Sequence, residues 1–223
     1  MPTDALSIRW LGRVDYRQAF ALQERLVAER RAAAIPDQLL LLEHDPVYTI
    51  GRTPDQTSLG DAARLPHPVV QINRGGQATY HGPGQLVGYP ILDLRNHGQD
   101  LHRYLRALEE LLIRICAAYG VSARRRESLT GAWVADRKIA SIGVGVRHWI
   151  SMHGFALNVC GDLVPFQQIT PCGITGVAMT SLEKESRRPV TVQGAAIVAS
   201  RLFPECLPGS PIVLRKIVPE MAD

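Results

Sequence analysis

Runs of apolar residues along the chain alternate between two spacings, and the change from one to the other marks the elements. QLLLLE (38–43) is continuously apolar, as expected of a strand covered on both faces, and VYTIG (47–51) reads as a second extended stretch. Before them a short strand around Ile8 to Leu11 leads to a helix that Asp15 caps and that is expected to run to about Ala34. Val69 to Ile72 reads as a strand running into a glycine-rich segment, Arg74 to Gly84, and GQLVGYPILDL (84–94) resumes extended structure. The clearest helix has Asp100 as its cap. Leu101, Tyr104, Leu105, Leu108, Leu112, Ile115 and Tyr119 repeat at three and four, and Gly120 ends it. Cys116 lies beside that stripe and reads as a small core hydrophobe.

Residues 131 to 159 change period again. GAWVA, a turn at Asp136-Arg137, KIASIGVGVRHW and SMHGFALNV read as antiparallel strands, followed by a loop from Cys160 to Gly176 and a last helix from near Thr191. Hairpins of this kind argue against a purely parallel, doubly wound sheet. The mixture of elements is α/β in content. With 223 residues and no repeat, low-complexity tract or linker, one domain spanning 1–223 is expected.

Composition narrows the setting. No apolar run approaches the roughly 20 residues of a membrane span, and MPTDALSIRW lacks the basic and apolar regions of an export signal. Cys116, Cys160, Cys172 and Cys206 are therefore expected as reduced thiols in the cytoplasm; no two have zinc-ligand spacing. The seven histidines show no metal-binding pattern, so no metal is expected. The net charge is +4, with arginines clustered at 124–126 and 187–188. These clusters form either a solvated face or a surface that steers an acidic macromolecule. Nucleic acid is disfavoured, since aromatics make up 6% and none interleave with the basic residues.

Three segments carry candidate chemistry. In RGGQATYHGPGQ (74–85) glycines let backbone approach a ligand, but the spacing is not that of a phosphate loop and no Lys-Ser/Thr pair follows. A surface turn explains the same glycines; Arg74 and His81 at its flanks favour a binding site. In KIASIGVGV (138–146) alternation puts Lys138, Ala140, Ile142, Val144 and Val146 on one face. Ser141, Gly143 and Gly145 then form a shallow trough on the other, where a ligand chain or a backbone can lie. Lys138 either ends the preceding turn in solvent or sits on an apolar face, where an ammonium is costly unless it is paired or functional. Cys172, in TPCGITG, is stiffened by Pro171 and freed by Gly173. No helix or strand stripe accounts for it, which leaves an inert thiol or a nucleophile, and His153 is the partner a Cys-His hydrolase would use.

Together LLLLEHDPVYTIGR, RGGQATYHGPGQLVGYPILDL, GAWVADRKIASIGVGVRHWISMHGFALNV and PCGITG, in that order over residues 39 to 176, resemble the lipoyl(octanoyl) transferase family. The resemblance implies the fold shared with lipoate and biotin protein ligases: α/β of the α+β type, a mixed, largely antiparallel sheet flanked by helices. It implies that Cys172 carries an octanoyl thioester and that Lys138 tunes the thiol. Arg74, Gly75, Gly76, Gln77, Ala78, Thr79, Tyr80 and His81, with Ser141, Ile142, Gly143, Gly154, Phe155 and Ala156, would line the acyl site. It further implies octanoyl-acyl carrier protein as donor. The acceptors would be lipoyl domains of 2-oxoacid dehydrogenase acyltransferase subunits and the glycine-cleavage carrier protein. No ATP or metal is implied, because exchange of one thioester for another is near thermoneutral and amide formation is downhill. An ATP-dependent ligase, a Cys172–His153 hydrolase and a non-catalytic carrier-binding module remain as alternatives.

Overall fold

The continuous apolar run at 39–42 is a strand buried on both sides, and the rest of the molecule is arranged around it. The computed structural model describes residues 5–52, 54–208 and 213–219; the first four residues of the N-terminal stretch lie outside these. In chain order the elements are β1 (Ala5–Val14), α1 (Tyr16–Arg31), β2 (Asp37–His44), β3 (Val47–Ile50), β4 (Val69–Gln71), β5 (Thr79–His81) and β6 (Gln85–Ile91). There follow α2 (Leu101–Ala118), β7 (Arg124–Arg126), β8 (Leu129–Val134), β9 (Arg137–Arg147) and β10 (Ile150–Asn158). The chain continues through β11 (Ala178–Met179), α3 (Leu182–Ser186), α4 (Val192–Cys206) and β12 (Val213–Pro219).

The main sheet has the order β12-β1-β2-β6-β10-β9-β8-β7, with β11 added parallel to the start of β9. Pairing is parallel for β12–β1–β2 and antiparallel from β2 to β7. Leu39 and Leu41 enter the cluster formed with α2 and α4, whereas Leu40 and Leu42 enter the cluster under α1. Strand alternation thus feeds two cores at once, and the mixed sheet flanked by helices matches the expected fold class. A second, small sheet, β4-β3-β5, carries its own apolar cluster around Tyr48, Tyr80 and Phe166. No helix of the described residues is long and apolar enough to cross a membrane.

The caps at Asp15 and Asp100 lie where the sequence puts them, and the last helix is capped by Thr191, near its expected start. Asp15 accepts from the N–H groups of Arg17 and Gln18, Asp100 from Arg103 and Thr191 from Gly194. Several boundaries differ: β1 is longer than the expected Ile8 to Leu11, and three others shift at left-handed residues. Helix α1 stops at Arg31 because Ala33 turns left-handed (φ 55°), three residues short of the expected end. The β8–β9 turn is Ala135-Asp136, shifted one residue by the left-handed Ala135 (φ 50°). Strand β9 ends at Arg147, because His148 and Trp149 (φ 52° and 64°) form a two-residue hairpin turn. Leu101 is 40% exposed despite its place in the α2 stripe, being the first residue of the helix, at its open end.

Candidate active site

A cavity of about 410 Å³ opens between the 74–81 segment, β9, β10, β6 and the turn carrying Cys172. Strand β9 supplies its floor. Gly143 and Gly145 form the trough the alternation predicts, and this chain's own backbone fills it. A Cβ on Gly143 would lie 2.9 Å from Arg74 Cδ, one on Gly145 would lie 3.4 Å from the Asn73 carbonyl, and Gly75 N–H donates to the Val144 carbonyl. The missing side chains let the 73–75 segment lie against the sheet, with Arg74 pointing into the cavity.

Lys138 and Cys172 both line this cavity. Lys138 is 2% exposed, so its side chain is inside the fold and the solvent-turn alternative does not hold. Its Nζ sits 5.3 Å from the centre of the Trp133 ring, and Gly131 leaves room for its stem: a Cβ there would approach Lys138 Cε to 3.1 Å. Cys172 sits at the centre of the Pro171–Gly173 turn in a left-handed conformation (φ 57°, ψ 20°). That geometry costs about 1–2 kcal/mol for a residue with a Cβ. Neighbouring groups hold it there. Cys172 N–H donates to the Ala78 carbonyl at 2.8 Å, Sγ lies 3.7 Å from Ser141 Oγ, and any Cβ on Gly173 would meet Gln77 Cγ at 2.8 Å. Ser58 ties the two loops together. Its Oγ donates to Gln77 Oε1 (2.8 Å) and accepts from Ala78 N–H (3.0 Å), and its carbonyl accepts from Thr170 N–H.

Arg74 is the second cation. It is buried, with Nη1 donating to the Gly75 carbonyl and Nη2 to the Thr49 carbonyl and hydroxyl, all neutral acceptors. Burial pulls its pKa below the ordinary arginine value, and Tyr16, Cys172 and Tyr89 oppose this electrostatically. Among the described residues no carboxylate lines the cavity. The histidines add no charge. His81 and His153 are each lowered to about 3, first by burial and then by neighbouring positive charge, and His44 is lowered to about 4 by burial. His44 Nδ1 donates to the Val14 carbonyl, so its Nε2 accepts from the Tyr89 hydroxyl at 2.6 Å. His81 bonds Gln85, which bonds Asn158; Asn158 reaches the Thr180 carbonyl, and Thr180 N–H returns to the Lys138 carbonyl. This chain of bonds fixes the 79–81 strand relative to Lys138.

Most of the residues implied by the resemblance meet here: Arg74, Gly75, Gly76, Gln77, Thr79, His81, Ser141, Ile142, Gly143, Gly154, Phe155 and Ala156 all line the cavity. Ala78 and Tyr80 do not. Strand alternation turns Tyr80 away, against Tyr48 and Phe166, and Ala78 contributes its backbone carbonyl to Cys172. Tyr16, Val87, Tyr89, Leu105, Ser128, Leu129, Thr130, Val144, His153 and Ile174 complete the lining, and of these only His153 was singled out for its chemistry in the sequence. His153 serves differently from a hydrolase base. Its Nε2 bonds Asn73 Oδ1 at 2.6 Å, and it pairs with Val144, three residues along the strand from the Ala156–Ser141 pair, about 10 Å away.

The chain as a whole has counterparts of similar sequence. The description "lipoyl protein ligase A/B catalytic domain" matches residues 15–201. The chain belongs to that family. Among its relatives, the octanoyltransferase of Geobacter sulfurreducens is 54% identical over 193 residues, 86% of this chain and 81% of the relative. The octanoyltransferase of Synechococcus elongatus is 53% identical, over 78% and 76% of the two chains. Within the family this chain is an acyltransferase. Solved structures share the fold at low identity. The bi-partite lipoate protein ligase of Thermoplasma acidophilum superposes with a TM-score of 0.73 at 17% identity, covering 97% of this chain and 88% of that one. The biotin protein ligase of Aquifex aeolicus with biotin and ATP gives 0.56 at 13%, over 90% and 69%.

Proposed function

We propose that this chain transfers an octanoyl group from octanoyl-acyl carrier protein to a lysine of lipoyl domains, through a thioester on Cys172. The lipoyl domains would be those of 2-oxoacid dehydrogenase acyltransferase subunits and of the glycine-cleavage carrier protein. The observation that carries this reading is a half-buried thiol and a buried lysine in one cavity without a carboxylate, in a chain about half identical to named octanoyltransferases. Cations without carboxylates favour anionic species, here a thiolate and the oxyanion of a tetrahedral intermediate.

In the first step the proton of the Cys172–Lys138 pair sits on Lys138, and Sγ attacks the thioester carbon as the thiolate. The carbon–sulfur bond to the carrier arm breaks, its electron pair stays on the departing sulfur, and Lys138 returns the proton there. In the second step the acceptor amine attacks the same carbon, an amide forms, and Cys172 leaves as thiolate while the amine proton passes to Lys138. Each step balances without ATP or metal. The apolar lining, with Val87, Leu105, Leu129, Ile142, Val144 and Phe155, suits a medium chain. Burying about six methylenes at roughly 0.8 kcal/mol each supplies about 5 kcal/mol.

The test is intact-protein mass after mixing with octanoyl-acyl carrier protein without ATP, for the native chain and Cys172→Ala. The expected result is one octanoyl adduct, labile to hydroxylamine, in the native chain and none in the variant. Acylation that requires ATP and free octanoate, and survives Cys172→Ala, would instead establish a ligase.

A further inference from the structure

A second cavity, of about 510 Å³, abuts the first at the turn that carries Cys172. Ile174 lines both, Cys172 lines only the first, and Thr170 and Pro171 line only the second. On the other flank Met179, a wall of the second cavity, is paired in register with Lys138, a wall of the first. The two residues of the proposed chemistry therefore stand on the partition between two spaces.

A thioester has two halves that leave the reacting carbon in different directions. With the acyl chain in the first cavity, the thiol half needs a path of its own. We infer that the second cavity receives the thiol half of the donor, a phosphopantetheine-type arm, an assignment that rests on the acyl-carrier donor proposed above. Such an arm is a slender chain of methylenes, a gem-dimethyl carbon and two amides, ending in a phosphate. The walls offer matching chemistry. Phe166, Ile169 and Val177 present apolar surface, Thr170 and Thr175 bring hydroxyls for the amides, and the exposed Lys184 supplies positive charge for the phosphate. Asp162 also borders the space, with its carboxylate turned to the Val164 N–H at 2.8 Å. Val164 is 53% exposed and forms an apolar lip. When the carbon–sulfur bond breaks, the arm's sulfur takes the proton returned by Lys138 and the free thiol withdraws through this second cavity, leaving the octanoyl chain in the first.

The rate of Cys172 acylation, read by intact mass in single turnovers, tests this with three octanoyl thioesters of increasing thiol half: N-acetylcysteamine, pantetheine and phosphopantetheine. For the native chain kcat/KM is expected to rise about tenfold from N-acetylcysteamine to pantetheine, because remote binding energy is used in the transition state. Gln167→Trp, which fills the second cavity from its exposed wall, should abolish that rise and leave the N-acetylcysteamine rate within about twofold. Lys184→Gln should slow only the phosphorylated donor. Equal native rates for all three donors, or a Gln167→Trp variant that slows all equally, would overturn the assignment while leaving the thioester reading intact. A Gln167→Trp variant with unchanged acylation but slow transfer to a lipoyl domain would overturn it in favour of the acceptor lysine. Absence of any adduct with every donor would overturn the reading and the assignment together.

Discussion

Two groups of basic residues in this molecule follow opposite rules. On the surface, Arg125 reaches Glu109 and Glu110 at 3.2 and 2.8 Å, Arg126 lies 3.8 Å from Asp136, and Arg137 makes a bidentate pair with Glu185. Two arginines and one lysine are buried among the described residues: Arg30, Arg74 and Lys138. Arg30 has Asp37 at 2.7 Å. The other two face the cavity, with no carboxylate along its walls. Burying an unpaired charge is costly, so a fold that carries two of them in one cavity is organised for something anionic that arrives or forms there. The paired arginines are structural by the same reasoning. The basic cluster at 124–126 is largely neutralised by its neighbours, which weakens its case as a steering surface.

Removing a cavity cation should therefore cost far more than removing a surface one. Lys138→Ala should lower octanoyl transfer by about 10²–10⁴-fold with an unchanged far-UV spectrum, because it removes the only proton carrier proposed for both steps. Turnover near that of the native chain would take Lys138 out of the mechanism. Arg74→Met comes next, with an expected loss of about 10²-fold in kcat from missing oxyanion and thiolate stabilisation. Its Tm should hold or rise, since an unpaired buried charge is replaced by an apolar stem of similar length. A large fall in Tm with kcat preserved would make Arg74 a structural residue like Arg30.

Much of this arrangement could be read from the sequence, where local rules decide it. The double-sided burial of 39–42 follows from an unbroken leucine run, and the caps at Asp15 and Asp100 follow from residue type and position. Lys138 was the instructive ambiguity. Alternation puts it on the face of Ala140, but the β8–β9 ladder takes an extra residue between Lys138 and Ala140, which breaks that parity. A lysine one residue past a turn is equally at home in water, and only the packing of Trp133 and Gly131 around its stem decides the matter. Tyr16, Val87 and Tyr89 were not legible as lining, because they sit in apolar patterns that core packing explains just as well. The two-residue β11 and the five-residue α3 are too short to have a period, and their positions come from tertiary pairing with β9 and capping by Ser181.

The histidines around the cavity sharpen the comparison at lower energy. His44, His81 and His153 are neutral in the fold, with values near 4, 3 and 3, against about 6.5 in an unfolded chain. A folded-state value below the unfolded one means that the unfolded chain binds protons first as pH falls. The stability these groups contribute is therefore fully present above about pH 6.5 and is lost as pH falls from there towards 3–4. At pH 5 the loss is about 2 kcal/mol for each imidazole, a substantial share of a typical folding free energy of about 5–15 kcal/mol. Urea unfolding midpoints should fall steadily between pH 7 and pH 4.5. A flat profile would mean that the imidazoles are charged in the fold, and the cavity's positive charge would then not belong to Arg74 and Lys138 alone.

The smallest effect belongs to the surface. Arg125 bonds Glu109 Oε2, but Arg106 holds the same oxygen at 2.7 Å, and Glu109 Oε1 accepts from Gly131 N–H. Removing Arg125 thus leaves the buried Glu109 carboxylate with both remaining partners, and the Glu110 contact is solvent-exposed. Arg125→Ala should cost about 0–1 kcal/mol in urea unfolding and should leave octanoyl transfer within about twofold at low and moderate salt. A transfer rate that falls severalfold at low salt, with the gap to the native chain closing as salt rises, would place Arg125 in contact with the acidic donor. The division between paired structural arginines and unpaired cavity cations would then no longer hold on this face.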